Sequence, residues 1–381
     1  MKFSFENSTR IHFGEGQISQ ISKDIPKDKK VLVLYGGGSI KANGVYDQVA
    51  AALAEHQWGE FSGIEANPQY DTLMQAVEKV RAEGFDYLLA VGGGSVVDGT
   101  KFVSVAVGYE GEAWDILAKG KTSPTALPVS CVLTLPATGS ESNAGSVVSR
   151  GNSKLFFGDP RVRPIFAVLD PKVTLSLSPR QVANGVVDAF VHVMEQYLTF
   201  DHNAKVQDRF SEGLLLTLIE EGPIALANPD DMAVRSNVMW AATMALNGLI
   251  GAGVPQDWTT HMIGHELTGH YGIDHARSLS IMLPAVMQAR RKQKGAKIVQ
   301  LGQRVFGIHS GSHDERIDAT IAALVEFFQL MQVPTSLTEV ELGSDAIAKV
   351  LASLAEHGRQ GMSEHGDVGQ DELAQMLELA R

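Results

Sequence analysis

The amino-acid sequence predicts an α/β domain built on a parallel sheet, followed by an all-helical domain, and three observations support this fold class. The chain has 381 residues, more than a single hydrophobic core usually serves, so two domains are expected. Over residues 1–178, short apolar runs alternate with glycine-rich turns and amphipathic stretches, which is typical of strand and helix units on a parallel sheet. Residues 179–381 instead contain long segments with helical spacing.

Four apolar runs in the first domain are predicted strands, and their continuous Val, Leu and Ile content indicates burial on both faces of the sheet. They are Val31–Tyr35, Asp86–Val91, Ser130–Leu135 and Pro164–Asp170. Between the first two runs, Leu73, Val77 and Val80 have helical spacing. This predicts a helix that ends at Gly84, since helices commonly end on glycine.

The domain boundary is predicted at a helix start. Ser178 can cap a helix whose first residue is Pro179, with Gln181 as the reciprocal capping partner. Beyond it, helical periodicity is clearest over residues 208–227, 232–253 and 313–331. We therefore expect domains at 1–178 and 179–381.

The charge of the chain disfavours two classes of partner. It carries 44 acidic and 32 basic side chains, a formal net charge of −12, which repels phosphate backbones and anionic membrane surfaces. The N-terminal segment MKFSFENSTRIHFG lacks an apolar core of signal-peptide length, and no apolar run reaches the roughly 18 residues that a spanning helix requires. We expect a cytoplasmic protein that binds neither nucleic acid nor membrane.

Cys131 is the only cysteine, so no intrachain disulfide can form. It lies inside the apolar run VSCVLTLP, where a strand would bury it. Core packing is the favoured interpretation, and a reactive thiol is the alternative.

Two glycine-rich turns follow predicted strands. Gly36, Gly37, Gly38 and Ser39 follow the first strand, and GGGS recurs at residues 92–95 after the second. Glycine lets the backbone approach a phosphate closely, and the N-terminus of a following helix would attract it. The turns therefore suit a dinucleotide, although either one taken alone could be a simple strand-to-helix turn.

A third loop, LPATGSES, follows another strand and offers the hydroxyls of Thr138, Ser140 and Ser142 to a ribose or phosphate. By itself it could equally be a solvated turn. The GxGxxG fingerprint with an acidic residue about 20 positions on is absent, and Asp98 lies too close to the second triplet to serve as that residue.

Histidines cluster in HMIGHELTGHYGIDHA. His261 and His265 are four residues apart and share a helix face; Gly269 and Gly272 are expected to end this helix and return His275 from a loop. The sequence HELTGH does not match the zinc-peptidase pattern HExxH.

A second pair of possible metal ligands precedes this cluster. Asp188 and His192 lie four apart on an otherwise apolar predicted helix. They could simply pair in the core, but together with the histidine cluster they favour a metal site.

GGGSVVDGTK, LPATGSES, NGVVDAFVHVMEQY and HMIGHELTGHYGIDHA occur in the order and spacing of the iron-containing (group III) alcohol dehydrogenases, and the sequence resembles that family over nearly its whole length. The resemblance implies a dinucleotide-binding α/β domain joined to a helical metal-binding domain, as in dehydroquinate synthase. The metal ligands that it implies are Asp188, His192, His261 and His275. His265 would lie beside the metal as a catalytic, non-ligand residue, with Asp98 as a second catalytic candidate. No role is implied for His270.

The resemblance also implies the cofactor. NAD-preferring members place an aspartate after the first strand, where this sequence has Gly36–Ser39, so NADP(H) is expected. Lys41 or Lys154 could add positive charge for the 2′-phosphate. Asp98 and Lys101 would lie near the ribose and nicotinamide, unless they form only an exposed ion pair. The expected cofactor contacts are Gly36, Gly37, Gly38, Ser39, Gly93, Gly94, Ser95, Asp98, Lys101, Thr134, Thr138, Ser140 and Lys154.

The implied activity is metal-dependent reduction of an aldehyde to an alcohol by NADPH, as in the aldehyde reductase and butanol dehydrogenase branch, with one divalent Fe²⁺ or Zn²⁺ and a homodimer. Two alternatives differ in class. A lyase or cyclase of the dehydroquinate synthase type would need phosphate-binding basic residues near the metal, and none precedes Arg277 in that segment. A metal or nucleotide sensor would bind NADP(H) without turnover.

Overall fold

The computed structural model describes residues Met1–Arg381, and the chain forms two compact units. The α/β unit comprises Glu6–Leu177 and Asp230–Thr243, and the helical unit comprises Met1–Phe5, Ser178–Pro229 and Met244–Arg381. Residues 1–5 and 230–243 thus depart from a single boundary at residue 178. A change in apolar periodicity shows where strand-and-helix units give way to helices alone. It does not show that a short segment packs with the other unit. None of the helices is both long enough and apolar enough to cross a membrane.

A six-stranded, entirely parallel sheet forms the centre of the α/β unit, with the strand order β1-β8-β5-β4-β2-β3. Two further strands, β6 and β7, form an antiparallel hairpin. The strands are β1 (Arg10–Phe13), β2 (Lys30–Tyr35), β3 (Gln57–Phe61), β4 (Tyr87–Gly93), β5 (Val129–Leu135), β6 (Gly145–Arg150), β7 (Ser153–Gly158) and β8 (Phe166–Leu169). The predicted α/β fold with a parallel sheet is confirmed.

The four predicted strands are the four interior strands of this sheet, namely β2, β4, β5 and β8. The edge strands β1 and β3 are not apparent in the apolar pattern, because RIHF and QWGEF have no fully buried residue. The β6–β7 hairpin was missed for a similar reason, since neither strand has more than two consecutive buried residues. Continuous apolar runs therefore identify only strands that are covered on both faces.

Both faces of the sheet are packed. Leu32 and Leu34 of β2 lie in one core cluster, whereas Val31 and Val33 lie in the other, as the two-residue repeat of a strand requires. Cys131 of β5 is fully buried in the first cluster, and burial raises the pKa of its thiol well above the usual range. The prediction that Cys131 is a core residue is confirmed.

The helices before residue 178 include two that follow glycine turns. They are α1 (Ile21–Asp24), α2 (Ser39–Ala42), α3 (Val45–Ala52), α4 (Tyr70–Glu83), α5 (Gly94–Ala106) and α6 (Asp115–Ala118). Helix α4 ends at Gly84, whose φ of 70° is left-handed, as predicted. The helix after the first glycine triplet, α2, is a single turn. Its dipole therefore attracts an anion much less than the dipole of the 13-residue α5 does.

Nine α-helices, one short 3-10 helix (Thr338–Val340) and no strand follow residue 178, which confirms the helical character of the second half. They are α7 (Pro179–Tyr197), α8 (Lys205–Ala227), α9 (Met232–Ala245), α10 (Thr259–Tyr271), α11 (His275–Ala289), α12 (Arg291–Val305), α13 (His313–Leu330), α14 (Ser344–Glu356) and α15 (Gln370–Leu379). One core cluster joins α10, α11, α14 and α15 through residues such as Leu267, Met282, Leu354 and Leu373. This packing fixes α10 and α11, which contain the histidine cluster.

Candidate metal centre and cofactor-binding turns

Helix α7 begins where the sequence predicts. The Ser178 hydroxyl accepts from the Gln181 N–H at 3.3 Å, and the Gln181 side chain accepts from the Ser178 N–H at 3.0 Å, with Pro179 at the first helical position. From Val186 to Tyr197 every residue of α7 is buried. Ionisable side chains on this stretch therefore lie in the interior, where each needs a specific partner.

The histidine cluster is divided between two helices. Helix α10 holds His261 and His265, runs through Gly269 and ends at Gly272, whose φ is 66°. His275 is the first residue of α11, so the expectation that it returns from a loop is wrong. A turn of only three residues, Gly272–Asp274, separates the two helices and brings His275 back towards α10.

Asp188, His261 and His275 each place one ligand atom within 4.8 Å of the others, which makes them a candidate metal site. Asp188 Oδ1 lies 3.9 Å from His275 Nε2 and 3.7 Å from His192 Nδ1, too far for hydrogen bonds. Two ligand atoms that each lie about 2 Å from one metal ion are roughly 3–4 Å apart. Asp188 Oδ1 and His192 Nδ1 are buried and have no hydrogen-bond partner, so the core-pair alternative leaves both unsatisfied, whereas a divalent metal would satisfy them.

His192 lies beside this group without belonging to the set of three. Its ring centroid is 4.6 Å from that of His261. Burial lowers the pKa of His192 to about 4, against the opposing effect of Asp188. The imidazole is therefore neutral near pH 7, which is the form that binds a metal.

His265 and His270 occupy different surroundings on α10. The His265 ring centroid lies 5.1 Å from that of His275 and 6.3 Å from that of His261, so it adjoins the three-donor group without being part of it. His270 Nε2 lies 3.9 Å from Glu266, whose carboxylate accepts from Ser353 at 2.6 Å. His270 thus belongs to a separate polar cluster.

Two buried carboxylates at the start of α10 were missed by sequence reasoning. Glu195 of α7 accepts from the Thr260 N–H at 2.6 Å and also contacts His261. Asp257 accepts from the Thr259 N–H at 2.9 Å. Burial, reinforced by Asp257, raises the pKa of Glu195 well above its usual range. The signal for Glu195 was its spacing, since it follows Asp188 by seven residues and His192 by three.

The three predicted cofactor turns lie at one edge of the sheet. Strands β2, β4 and β5 are adjacent and parallel, with Tyr35 opposite Val91 and Gly93 opposite Leu135. Their carboxyl ends therefore place the turns at 36–39, 92–95 and 136–142 side by side, as open α/β sheets do at their ligand sites. Thr134, the penultimate residue of β5, is half-buried just before the third turn.

The second and third turns are in direct contact. A Cβ added to Gly94 would collide with the Thr138 side chain, and one added to Gly92 would collide with Val96. Gly94 is also the first residue of α5, and no side chain caps this helix N-terminus, whose first N–H groups have no partner within the helix. Glycine is therefore required at residues 92 and 94 by the close packing of these turns, and the contact of this segment with a dinucleotide stays a prediction.

Lys101 is buried and Asp98 is half-buried, and both belong to one hydrogen-bond network, so they do not form an exposed surface ion pair. The Lys101 ammonium donates to Ser140 Oγ at 2.8 Å, Asn143 Oδ1 at 3.1 Å and the Gly145 carbonyl at 2.8 Å, which uses all three of its N–H bonds. The Asp98 carboxylate accepts from Ser140 at 2.5 Å and from the Val147 N–H at 3.0 Å. Burial lowers the pKa of Lys101 to about 8 and raises the pKa of Asp98.

The lysines expected near the 2′-phosphate already have protein partners. Lys41 Nζ lies 3.4 Å from Glu60 of β3, and hydrogen bonds from Tyr46, Tyr35 and Lys41 hold the pKa of Glu60 below its usual value although burial opposes them. Lys154 of β7 donates to Asn67 Oδ1 at 2.9 Å, and the Asn67 N–H donates to Ser95 at 3.3 Å. Lys154 is therefore linked to the second glycine turn.

Comparison with known sequences identifies the family. A sequence profile described as iron-containing alcohol dehydrogenase matches residues 8–171, and one described as the C-terminal part of the Fe-containing alcohol dehydrogenase family matches residues 182–380. This chain belongs to the iron-containing alcohol dehydrogenase family. The gap between the two matched ranges, residues 172–181, contains the capped start of α7.

Individual relatives agree with this family assignment. The NADPH-dependent aldehyde reductase YqhD of Escherichia coli is 54% identical, over 100% of this iron-containing alcohol dehydrogenase and 99% of that protein. A probable NADH-dependent butanol dehydrogenase of Bacillus subtilis is 37% identical, over 94% and 95%. The crystal structure of E. coli YqhD superimposes with a TM-score of 0.99, again covering 100% and 99% of the two chains. These matches confirm the predicted family and fold, and they do not favour the lyase alternative.

Proposed function

We propose that this chain is an NADPH-dependent aldehyde reductase, which converts an aldehyde, NADPH and a proton to the primary alcohol and NADP⁺. The observation that carries the proposal is the convergence of Asp188, His261 and His275 in a member of the iron-containing alcohol dehydrogenase family. The 54% identity to an NADPH-dependent aldehyde reductase supports both the direction of the reaction, reduction of the aldehyde, and NADPH as the cofactor. We assign cofactor binding to residues 1–178, and metal binding and catalysis to residues 179–381.

Asp188, His192, His261 and His275 are the proposed metal ligands. A bound divalent metal supplies a Lewis acid for the substrate carbonyl, and NADPH supplies the hydride. One carboxylate and three imidazoles suit both Fe²⁺ and Zn²⁺. Four protein ligands would fill a tetrahedral zinc site, so the activity requires a metal that accepts a further ligand, which Fe²⁺ does readily.

The protein itself must manage one proton. Hydride addition leaves negative charge on the substrate oxygen, and we propose that a ring nitrogen of His265 donates the proton that neutralises it. Asp98 is a weaker candidate for proton exchange, because both of its oxygens already accept hydrogen bonds from Ser140 and the Val147 N–H. Its proposed role is to position the 136–142 turn against the cofactor.

NADPH rather than NADH is proposed because no carboxylate follows β2 in the first glycine turn. The Ser39 hydroxyl and backbone N–H groups can donate hydrogen bonds to a 2′-phosphate there. Glu60 lies nearby, but Lys41 and two tyrosine hydroxyls share its charge. The residues proposed to line the cofactor are Gly36, Gly37, Gly38, Ser39, Gly93, Gly94, Ser95, Asp98, Thr134, Thr138, Ser140 and Lys154, with Lys101 supporting them from beneath.

We further propose a homodimer in the cytoplasm. Strand β1 is an edge strand, and Phe13 at its end is 39% exposed, so this edge offers unpaired backbone groups and apolar surface to a second copy. NADPH, the proposed reductant, is an intracellular cofactor. Light scattering coupled to size exclusion would test the oligomeric state.

The test is the oxidation of NADPH and of NADH by metal-stripped protein, restored anaerobically with Fe²⁺ or Zn²⁺, in the presence of short aldehydes. Metal-dependent NADPH consumption with one alcohol formed per NADPH is expected, and the more active ion identifies the metal. Absence of turnover with both cofactors and both metals would contradict the proposal. Equal rates with and without metal would contradict the Lewis-acid role alone.

A further inference from the structure

The start of α10 is fixed by two buried carboxylates with different partners. Asp257 is 4% exposed and accepts from the Thr259 N–H at 2.9 Å and the Thr259 hydroxyl at 2.6 Å. Glu195 is 3% exposed and accepts from the Thr260 N–H at 2.6 Å and the His261 N–H at 3.2 Å. Four hydrogen bonds therefore hold the first turn of the helix that presents His261.

Only Glu195 also contacts the side chain of His261. Its Oε2 atom, which accepts from the His261 backbone N–H, also meets Nδ1 of the same imidazole. Oε1 is occupied by Thr260, so the two oxygens have separate tasks. A carboxylate that served only as a helix cap would not need to reach the ring.

Glu195 lies on the same face of α7 as the proposed ligands from that helix. Asp188, His192 and Glu195 are spaced by four and three residues, which places them in one stripe of an α-helix. Helix α7 therefore brings a carboxylate, an imidazole and a second carboxylate towards α10. The first two have buried atoms without hydrogen-bond partners, whereas Glu195 is engaged with His261.

We propose that Glu195 is a positioning residue for the metal centre. Its carboxylate accepts a hydrogen bond from Nδ1–H of His261, which leaves Nε2 of that ring as the nitrogen that binds the metal. The inference rests on the proposed metal site. A neutral imidazole has one N–H and one lone pair, and the hydrogen bond at one nitrogen decides which nitrogen can bind a metal. A carboxylate partner also makes the imidazole a stronger electron donor and fixes the orientation of its ring.

The same contact explains why an acidic side chain is present at this buried position. An isolated carboxylate in the interior is destabilised unless hydrogen-bond donors surround it, and Glu195 is only 3% exposed. Two backbone N–H groups at a helix N-terminus, together with the imidazole N–H of His261, offset that cost. Glutamine could satisfy the helix start only in part, because its NH₂ group cannot accept the bonds made by Oε2.

The experiment compares Zn²⁺ binding by the full-length wild type, Glu195→Gln and Thr259→Val, using competition with a chromogenic chelator. Thr259→Val is the matched control, since it removes a buried hydrogen bond from the same helix start and leaves Glu195 and His261 unchanged. Co²⁺-loaded protein gives a second readout through its visible ligand-field bands. Thermal unfolding of each metal-free protein reports the purely structural cost.

For Glu195→Gln we expect a Zn²⁺ dissociation constant about 10- to 100-fold larger than that of the wild type, and shifted Co²⁺ bands. Thr259→Val should bind Zn²⁺ within about threefold of the wild type even where its metal-free form is less stable. A Glu195→Gln protein that binds Zn²⁺ as tightly as the wild type, or no more weakly than Thr259→Val, would overturn the inference.

If Glu195→Gln does not fold, Glu195→Asp replaces it. This variant keeps the charge but withdraws the carboxylate by one methylene, so weaker Zn²⁺ binding is again expected, and unchanged binding overturns the inference. A wild-type protein that binds no divalent metal would refute the proposed metal site together with this role of Glu195. Tight binding by the wild type and by both Glu195 variants would refute only the role of Glu195.

Discussion

Thr138 occupies the space that a side chain on Gly94 would need. The two residues belong to different turns, one after β4 and one after β5, and they meet because these strands are neighbours in the sheet. Gly94 also begins α5. The close approach of two chain segments at a helix N-terminus is therefore built into the proposed diphosphate site.

Gly94→Ala should impair cofactor binding. The added methyl group must displace Thr138, and such overpacking typically costs about 1–3 kcal/mol, so the KM for NADPH should rise roughly tenfold or more. Metal content should not change. Gly213→Ala on α8 is the control, because nothing lies within 4 Å of its added methyl group. Equal KM values for the two variants would show that the 92–95 turn does not bind the cofactor.

Asp188→Asn and His261→Ala should each lose metal and activity together. Each removes one proposed ligand, and we expect the metal content after dialysis to fall to less than about one-tenth of that of the wild type. Since a ligand bound only by the native state stabilises it by about 2.7 kcal/mol at 100 times its Kd, added metal should raise the unfolding midpoint of the wild type but not of the variants. His270→Ala, outside the donor group, should retain metal. Full activity of metal-free Asp188→Asn would contradict the assignment of Asp188 as a metal ligand.

Ser39→Asp should shift the cofactor preference from NADPH towards NADH. A carboxylate in the first glycine turn would repel the 2′-phosphate, and like charges in contact cost several kcal/mol, so the ratio of kcat/KM for NADPH over NADH should fall by roughly tenfold or more. Gln48→Glu adds the same charge at an exposed position on α3 and should leave the ratio unchanged. A constant ratio in Ser39→Asp would place the determinant of preference elsewhere.

Lys101→Met should destabilise the α/β unit. The substitution leaves Ser140 Oγ, Asn143 Oδ1 and the Gly145 carbonyl without their buried donor, which we expect to lower the free energy of unfolding by about 3 kcal/mol or more. Urea unfolding of the metal-free protein would measure the loss. Lys205→Met, at an exposed position on α8, should change stability by less than about 0.5 kcal/mol. Similar values for both would mean that the ammonium contributes nothing to the 136–145 segment.

The positions of the proposed ligands along the chain were predictable, but their exact setting was not. Asp188 and His192 were recognisable because charged residues on an apolar helix need a partner, and the structure brings Asp188 together with His261 and His275. Two local details differ from the prediction. Gly269 was expected to end α10 but lies inside it, and His275, which was expected in a loop, is the first residue of α11. Glycine weakens a helix by only about 1 kcal/mol, which the packing of α10 overcomes.

Local signals in the sequence determined the α/β and helical halves, the four interior strands, the start of α7 and the end of α4. Each of these depends on residues that are near neighbours along the chain, through apolar periodicity, capping or the left-handed preference of glycine. Tertiary structure alone decided the contact of Glu195 with His261 and the burial of Lys101 against Ser140, which join residues 66 and 39 positions apart. Such contacts depend on how helices and turns pack against one another. Apolar periodicity describes only neighbouring residues, so it cannot predict which distant residues will meet.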